Sequence, residues 1–365
     1  MDPGSDLLAA ALDGDIARVA SLLDAHPDRV NERGTLPGHS GARTALHFAV
    51  NGPHEDVIAL LLARGANPNI LCEGDSATAL HFAAERGHLG IVRRLIEHGT
   101  DPIGHGDYHE LDVIGWATVF GPGDPAMVSY LLAHGARHTI FSAVAVGDLD
   151  AIRALVAETP ALVERAMVRP HAGRRPLHLA VVKRQPEALA ALLERGASLE
   201  TLDLAGFTPL DQAAMMGERA MAQTLLDRGA AVRLPAAIGL GRDEDIERLI
   251  ASEPGCLAPG QRWGTLIVRA AERAPGHVIE RLIERGAVPN IVDDPNTAID
   301  STEGYTPLHA AGFHGNVDAA MALLRHGANR SVEDGRYKGT PAGWARYAGH
   351  HDLAGLLDPQ APTPG

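Results

Sequence analysis

Two histidines and three acidic residues lie within the eight positions of the segment 105–112, HGDYHELD. Because side chains two positions apart point the same way in an extended segment, we expect His105, Asp107 and His109 to share one face. A His-x-Asp-x-His face can hold a divalent metal ion or pair a general base with a carboxylate. The alternative is a polar loop whose side chains are solvated or hydrogen-bonded to a neighbouring loop. We therefore keep these three residues as an alternative catalytic set and assign no metal and no cofactor.

The remaining sequence lacks the common signatures of catalysis and nucleotide binding. It contains no Walker loop, no GxGxxG after a strand, no CxxC pair, no GxSxG elbow and no HExxH motif. Its formal net charge of −14 argues against a nucleic-acid or anionic-membrane partner. The two cysteines, Cys72 and Cys256, do not indicate a disulfide-stabilised fold. With no signal-peptide pattern and no apolar run of about 18 residues, we expect a soluble cytoplasmic protein.

A short motif recurs along most of the chain. Thr44 and Thr78 open copies that lie 34 positions apart (78 − 44), and Thr306 and Thr340 repeat that spacing (340 − 306). In the four copies that begin with threonine at 44, 78, 208 and 306, that residue can cap a helix, and a proline at the next position suits the first helical turn. In these four copies a glycine then ends each of two short helices. The copies read TALHFAV at 44, TALHFAA at 78, RPLHLAV at 175, TPLDQAA at 208 and TPLHAAG at 306.

This pattern, T-P-L-H-x-A at a period of about 33, resembles the ankyrin-repeat family over nearly the whole chain. The resemblance implies an all-α solenoid of about eleven repeat units, each a helix-turn-helix joined to the next by a finger loop. It also implies that the motif histidines, His47, His81, His178 and His309, hydrogen-bond backbone between repeats. The excess of arginine over lysine suggests a bacterial source.

Departures from the motif subdivide the chain. The units at 138–168 and 234–260 resemble the N-terminal capping unit and lack the finger loop. We interpret residues 5–358 as one solenoid with sub-blocks 5–137, 138–233 and 234–358, followed by a disordered tail at 359–365. The alternative is two or three blocks that hinge at the cap-like units. Two loops, 164–175 and 290–305, exceed the usual length, and the second carries several acidic residues and Tyr305.

The resemblance implies that partners dock on the concave face, which the finger loops and the residues before the first-helix glycine build. Apolar side chains at those positions are informative because the core does not require them. For Met215 and Met216 the alternative is that both side chains are buried, because a cap-like unit follows them in the sequence. Glycine replaces the motif histidine before Trp116 and again before Trp344, which favours a packing role for both tryptophans. The candidate binding residues are Tyr108, Trp116, Phe120, Met215, Met216, Tyr305, Phe313, His314 and Tyr347.

Two functions remain open from the sequence. The first is a non-enzymatic recognition scaffold that binds a protein or peptide along a concave groove. The alternative is an enzyme or small-molecule-binding protein that uses the finger loops and the segment 105–120. A scaffold predicts dispersed aromatic anchors on an open groove, whereas an enzyme predicts a cleft in which histidine and acidic side chains converge.

Overall fold

The computed structural model describes residues 3–168, 173–292, 304–335 and 337–361, with the side chains of residues 3 and 4 left aside. Within these residues the chain forms eleven helix pairs, which we number repeats 1 to 11. The predicted all-α repeat fold is confirmed. The chain divides into two compact units, residues 1–168 and residues 169–365.

The N-terminal unit contains repeats 1 to 5. Arg33–Gly34 and Arg43–Thr44 pair as a short antiparallel hairpin in the segment between repeats 1 and 2. We call each segment between consecutive repeats a finger. The helix pairs of repeats 1 to 3 are Pro3–Asp13 and Ile16–Ala25, Ala45–Asn51 and Glu55–Ala63, and Ala79–Glu85 and Leu89–Glu97. Repeat 4 consists of Asp112–Gly115, a π-helical turn Trp116–Phe120 and the second helix Pro125–Ala133. Repeat 5 consists of Ile140–Val146 and Leu149–Glu158.

The C-terminal unit contains repeats 6 to 11. Its helix pairs are Pro176–Val182 and Pro186–Glu194, Pro209–Met216 and Arg219–Asp227, Leu234–Leu240 and Asp243–Ser252, Leu266–Arg273 and Gly276–Glu284, Pro307–His314 and Val317–Arg325, and Pro341–Tyr347 and His351–Leu356.

Capping explains why each motif starts a helix where it does. In repeat 10 the Thr306 side chain and His309 form a reciprocal capping box, and Pro307 occupies the first helical turn. Gly315 ends this helix in the left-handed conformation, with φ +70°, that glycine adopts most easily. Each helix is too short to be stable alone, so the repeats depend on burying leucine and alanine side chains between neighbours.

The cap-like repeats differ from the others after their second helix. Short 3₁₀ helices follow repeats 1 and 5, at Pro27–Asn31 and Pro160–Glu164, and both begin at a proline. After repeat 8 the chain instead makes successive turns through residues 253–265. The sub-block limits at 137 and 233 stay a prediction. The acidic side chains of the loop 290–305 and the end of the tail lie outside the described residues.

Candidate functional site

The motif histidines hold each repeat to the following finger. His47 Nδ1 accepts the Thr44 backbone N–H at 3.3 Å, so the proton is on Nε2, which donates to the Ala77 carbonyl at 3.2 Å. The equivalent contacts, all at 3.1 Å, join His81 to Gly104, His178 to Phe207 and His309 to Gly339. This confirms the structural role expected for the four histidines.

Burial keeps these histidines neutral. It lowers the pKa of His47 and of His178 to about 4, and it lowers the pKa of His81 and His309 as well. A neutral ring is what the contact requires, because one ring nitrogen accepts a hydrogen bond while the other donates one.

Repeat 4 replaces this contact with an aspartate and a tryptophan. Gly115 stands where the motif has histidine, and a Cβ there would lie 2.6 Å from the Leu111 Cβ. The next residue, Trp116, donates its indole N–H to Asp107 of the preceding finger at 3.0 Å. Asp107 also accepts the backbone N–H groups of His109, Leu111 and Asp112 at 2.9 to 3.2 Å. With four donors and 3% exposure, this carboxylate organises the finger.

The three residues of the alternative catalytic set do not face one site. His105 is 73% exposed and its Nδ1 lies 2.9 Å from Asp112. His109 points instead toward Asp75, with 3.6 Å between its Nε2 and the carboxylate. The Asp107 side chain is buried and accepts the indole N–H of Trp116. The expectation of a shared His-x-Asp-x-His face is therefore not met, because the finger turns tightly around Asp107 rather than running extended.

Aromatic rings cover Trp116, which is 3% exposed. Their centroids lie 5.1 to 5.4 Å from that of the indole, in edge-to-face arrangements. The candidate residue Phe120 is one of these rings and is half-buried, whereas Tyr108 lies outside them, exposed and against His109. The rings that contact Trp116 are those of His81, Phe82, His109 and Phe120.

Repeat 11 uses the same aspartate–tryptophan pair. Trp344 donates its indole N–H to Asp334 at 2.9 Å, and the buried Asp334 also accepts the backbone N–H groups of Tyr337 and Gly339 at 2.7 and 2.8 Å. Glycine again precedes the tryptophan, at Gly343. The pair thus recurs at a spacing of nine residues in repeat 4 (116 − 107) and ten in repeat 11 (344 − 334).

The surroundings of Trp344 are open. This side chain is half-buried and lies at a cleft of about 500 Å³, which we call the Trp344 cleft. Two of the lining rings, Tyr337 and Tyr347, are 59% and 81% exposed. The lining carries mainly apolar surface, and the described residues that form it are Phe313, Tyr337, Gly339, Gly343, Trp344 and Tyr347.

The remaining candidate residues, Tyr305, His314 and Met216, do not line this cleft. Tyr305 is half-buried, stacks on His309 and meets Trp344 edge-on at 5.8 Å. His314 contacts the Phe313 ring at 5.1 Å and lies 3.8 Å from Glu272. Met216 is partly exposed at the end of its helix.

Met215 is a correction to the sequence analysis. It is 9% exposed and belongs to the hydrophobic core, beside Ile238. The reason is the short finger, residues 228–233, between repeats 7 and 8. Repeat 8 therefore follows repeat 7 closely, and the backbone of Ala214 and Met215 lies against Gly239. The sequence analysis gives burial as the alternative for this residue.

Tyr337 and Trp344 both line the cleft but are not among the candidate binding residues of the sequence analysis. The sequence favours a packing role for Trp344 and assigns none to Tyr337. The available signal was an aspartate nine or ten positions before a Gly-Trp pair, with four aromatic residues between 305 and 347 around it. Within the described residues, no group of three or more His, Cys, Asp or Glu side chains is arranged to hold a metal ion.

Comparison with known proteins agrees with the repeat pattern. The sequence profile described as ankyrin repeats (3 copies) matches residues 7–105, 46–142, 123–236 and 240–361. Similar proteins include the E3 ubiquitin-protein ligase XB3 of Oryza sativa subsp. japonica, 28% identical over 206 residues, which are 56% of this chain and 40% of that protein. The ankyrin repeat protein nuc-2 of Neurospora crassa is 30% identical over 58% of this chain and 17% of its own length.

A third similar protein is the nuclear factor NF-kappa-B p105 subunit of Gallus gallus, 31% identical over 44% of this chain and 17% of its own length. The chain therefore spans less than half the length of each of these relatives. In the part of the chain that the structure describes, every helix is too short or too polar to cross a membrane.

Proposed function

The chain belongs to the ankyrin-repeat family, and on that premise we propose that it is a non-enzymatic recognition protein that binds a protein or peptide partner. Ankyrin repeats generally mediate protein–protein interactions. We place the main anchor site at the Trp344 cleft of the C-terminal unit, and we propose that the partner binds along a concave groove. We also propose a cytoplasmic location.

The observation that carries this proposal is the exposure of aromatic rings around Trp344. Tyr347 is 81% exposed although it lies on a first helix, whose other face packs into the stack. Large aromatic residues near the centre of a contact contribute most of the energy of many interfaces. Four rings that converge on one cleft supply such a centre, and a short peptide can reach it from the surface.

The catalytic alternative receives less support from the geometry. A general base and its carboxylate partner need to face a common substrate position. His105, Asp107 and His109 each engage a different partner, and Asp107 already accepts four hydrogen bonds. The Asp107 carboxylate instead acts as part of the scaffold.

The test is selection of binding peptides from a random displayed library with the full chain as bait. Dissociation constants of the selected peptides are then measured by calorimetry for the wild type, Tyr347→Ala and Phe313→Ala. We expect each substitution to weaken binding by about 1–3 kcal/mol. Tyr130→Ala, on the second helix of repeat 4, is the matched control and should bind normally.

Substitutions farther along the chain measure the extent of the contact. If candidate residues of the N-terminal unit also contact the partner, Phe120→Ala and Tyr108→Ala weaken binding as well, by smaller amounts. Peptides that bind all of these variants equally well would show that the anchor site is elsewhere.

A further inference from the structure

The rings around Trp344 have a specific mutual orientation. Phe313, Tyr337 and Tyr347 stand at 85°, 78° and 81° to the indole plane, with centroids 5.5, 5.6 and 6.0 Å from it. The cleft therefore has aromatic walls that are nearly perpendicular to Trp344. Rings at right angles to one another can contact a compact group together, whereas a planar group stacks on only one ring face at a time.

The electrostatics of the cleft favour a positive charge. The π faces of aromatic rings are electronegative and attract cations that lie within about 6 Å of the ring centroid. The Asp334 carboxylate accepts the indole N–H at 2.9 Å and so increases the electron density of the Trp344 ring. Among the described residues that line the cleft, none carries a positive charge, and the exposed Lys338 is not one of them. The protein as a whole has a net charge of −14.

From these observations we propose that the Trp344 cleft binds an alkylated ammonium group, presented as the side chain of a methylated lysine on the partner. This proposal rests on the function proposed above and specifies the group that the partner inserts. An unmodified ammonium is strongly hydrated and needs hydrogen-bond acceptors, which rings do not replace. Methyl groups remove that hydration and fill an apolar cleft, while the positive charge is retained.

The geometry also distinguishes this group from other cations. A guanidinium is planar and stacks on one ring face at a time, so rings that stand perpendicular to Trp344 cannot all contact it together. A trimethylammonium group is nearly spherical and can contact all four rings. The cleft opens at the exposed Tyr347, so a side chain that projects from a peptide can enter it.

The first experiment compares three probes by calorimetry and by saturation-transfer NMR on the full chain. The probes are N-acetyl-trimethyllysine methylamide, the same compound with unmodified lysine, and its neutral isostere in which carbon replaces the ammonium nitrogen. We expect the trimethylated probe to bind about tenfold more tightly than the neutral isostere. We expect the unmodified lysine probe to bind at least as weakly as the isostere.

The variants locate the binding. We expect two substitutions, Trp344→Phe and Tyr347→Ala at an exposed residue, each to weaken binding of the trimethylated probe at least several-fold. Tyr130→Ala should leave the affinity for this probe unchanged. Circular dichroism checks that each variant is folded. Equal affinity for the trimethylated probe in all variants would overturn the assignment to this cleft.

Other outcomes separate this proposal from the general one. Equal binding of the neutral isostere overturns the cation proposal and leaves a simple apolar anchor for a peptide. Binding of tetramethylammonium as tight as that of the trimethyllysine probe overturns the side-chain source and favours a free quaternary ammonium ligand. If no probe binds but selected peptides still depend on Tyr347, the cation proposal fails and the recognition function stands.

Discussion

Repeats 4 and 11 each carry a tryptophan whose indole N–H is bound by an aspartate of the preceding finger, at 3.0 and 2.9 Å. In both repeats a glycine occupies the position of the motif histidine. The surroundings of the two rings are nevertheless opposite, since Trp116 is 3% exposed and Trp344 borders a cleft of about 500 Å³. The hydrogen bond sets the position of the indole, and the neighbouring side chains decide whether it is buried.

Two local differences account for the contrast. The fourth residue after the capping threonine of the previous repeat is Phe82 before repeat 4 but Ala310 before repeat 11. In repeat 4 a π-helical turn also brings Phe120 to 5.4 Å from the indole. Repeat 11 has an ordinary helix, and its rings stand around the cleft instead of filling it. The same pair of residues thus supports the core in one unit and a surface site in the other.

The largest expected contrast is in stability. Trp116→Ala removes a buried ring with four aromatic contacts, and such changes cost about 3–5 kcal/mol. Trp344→Ala should cost less than half as much, because the cleft is already open to water. Hydrogen exchange of the full chain measures the local free energy of opening in each unit. Equal losses in the two variants would contradict the contrast between a filled and an open site.

Replacing the two aspartates, Asp107 and Asp334, should also reduce stability by different amounts, with the larger loss again in repeat 4. Asp107→Ala leaves three backbone N–H groups and a buried indole N–H without their acceptor, and a buried donor left unsatisfied costs about 1–3 kcal/mol. Asp334→Ala should cost less, because water can reach the N–H of a half-buried Trp344. Asp150→Ala, at a carboxylate whose side chain is 98% exposed, is the control. Thermal midpoints compare the three variants, and a larger loss for Asp334→Ala would refute the ranking.

Acid should weaken the histidine contacts, which repeats 4 and 11 lack. The folded-state pKa of His47 is about 4, below the ordinary value of 6.5, so the unfolded chain takes up the proton first. Stability is then lost as pH falls from 6.5 toward 4, by at most about 3 kcal/mol for this group. Between pH 7.5 and pH 5, the midpoint of urea unfolding should decrease less in His47→Gln than in the wild type. The same slope in both proteins would show that this histidine does not contribute.

The smallest effect on stability is expected at the rim of the cleft. Tyr347→Ala changes an 81% exposed side chain, so its effect should stay within about 0.5 kcal/mol. A thermal midpoint that falls as far as that of Trp116→Ala would mean that Tyr347 belongs to the core.

The repeat fold was predictable because its determinants are local. Capping threonines, first-turn prolines and terminal glycines mark each helix, and the motif histidines follow from the family resemblance. Met215 could not be placed in the same way, since its burial depends on how closely repeat 8 follows repeat 7. The finger of repeat 4 was predicted as extended, but four hydrogen bonds to Asp107 turn it. Such contacts depend on which side chains converge in space, and a linear pattern does not contain that information.

The most direct test measures the accessibility of each tryptophan separately. The chain has three tryptophans, Trp116, Trp263 and Trp344, so two single-tryptophan proteins are needed. One keeps Trp116 and carries Trp263→Phe and Trp344→Phe, and the other keeps Trp344 and carries Trp116→Phe and Trp263→Phe. Quenching of fluorescence by acrylamide is then recorded under native conditions. We expect strong quenching and red-shifted emission for Trp344, and weak quenching with blue-shifted emission for Trp116. Equal quenching of the two, or stronger quenching of Trp116, would contradict the central claim that one pair is filled and the other open.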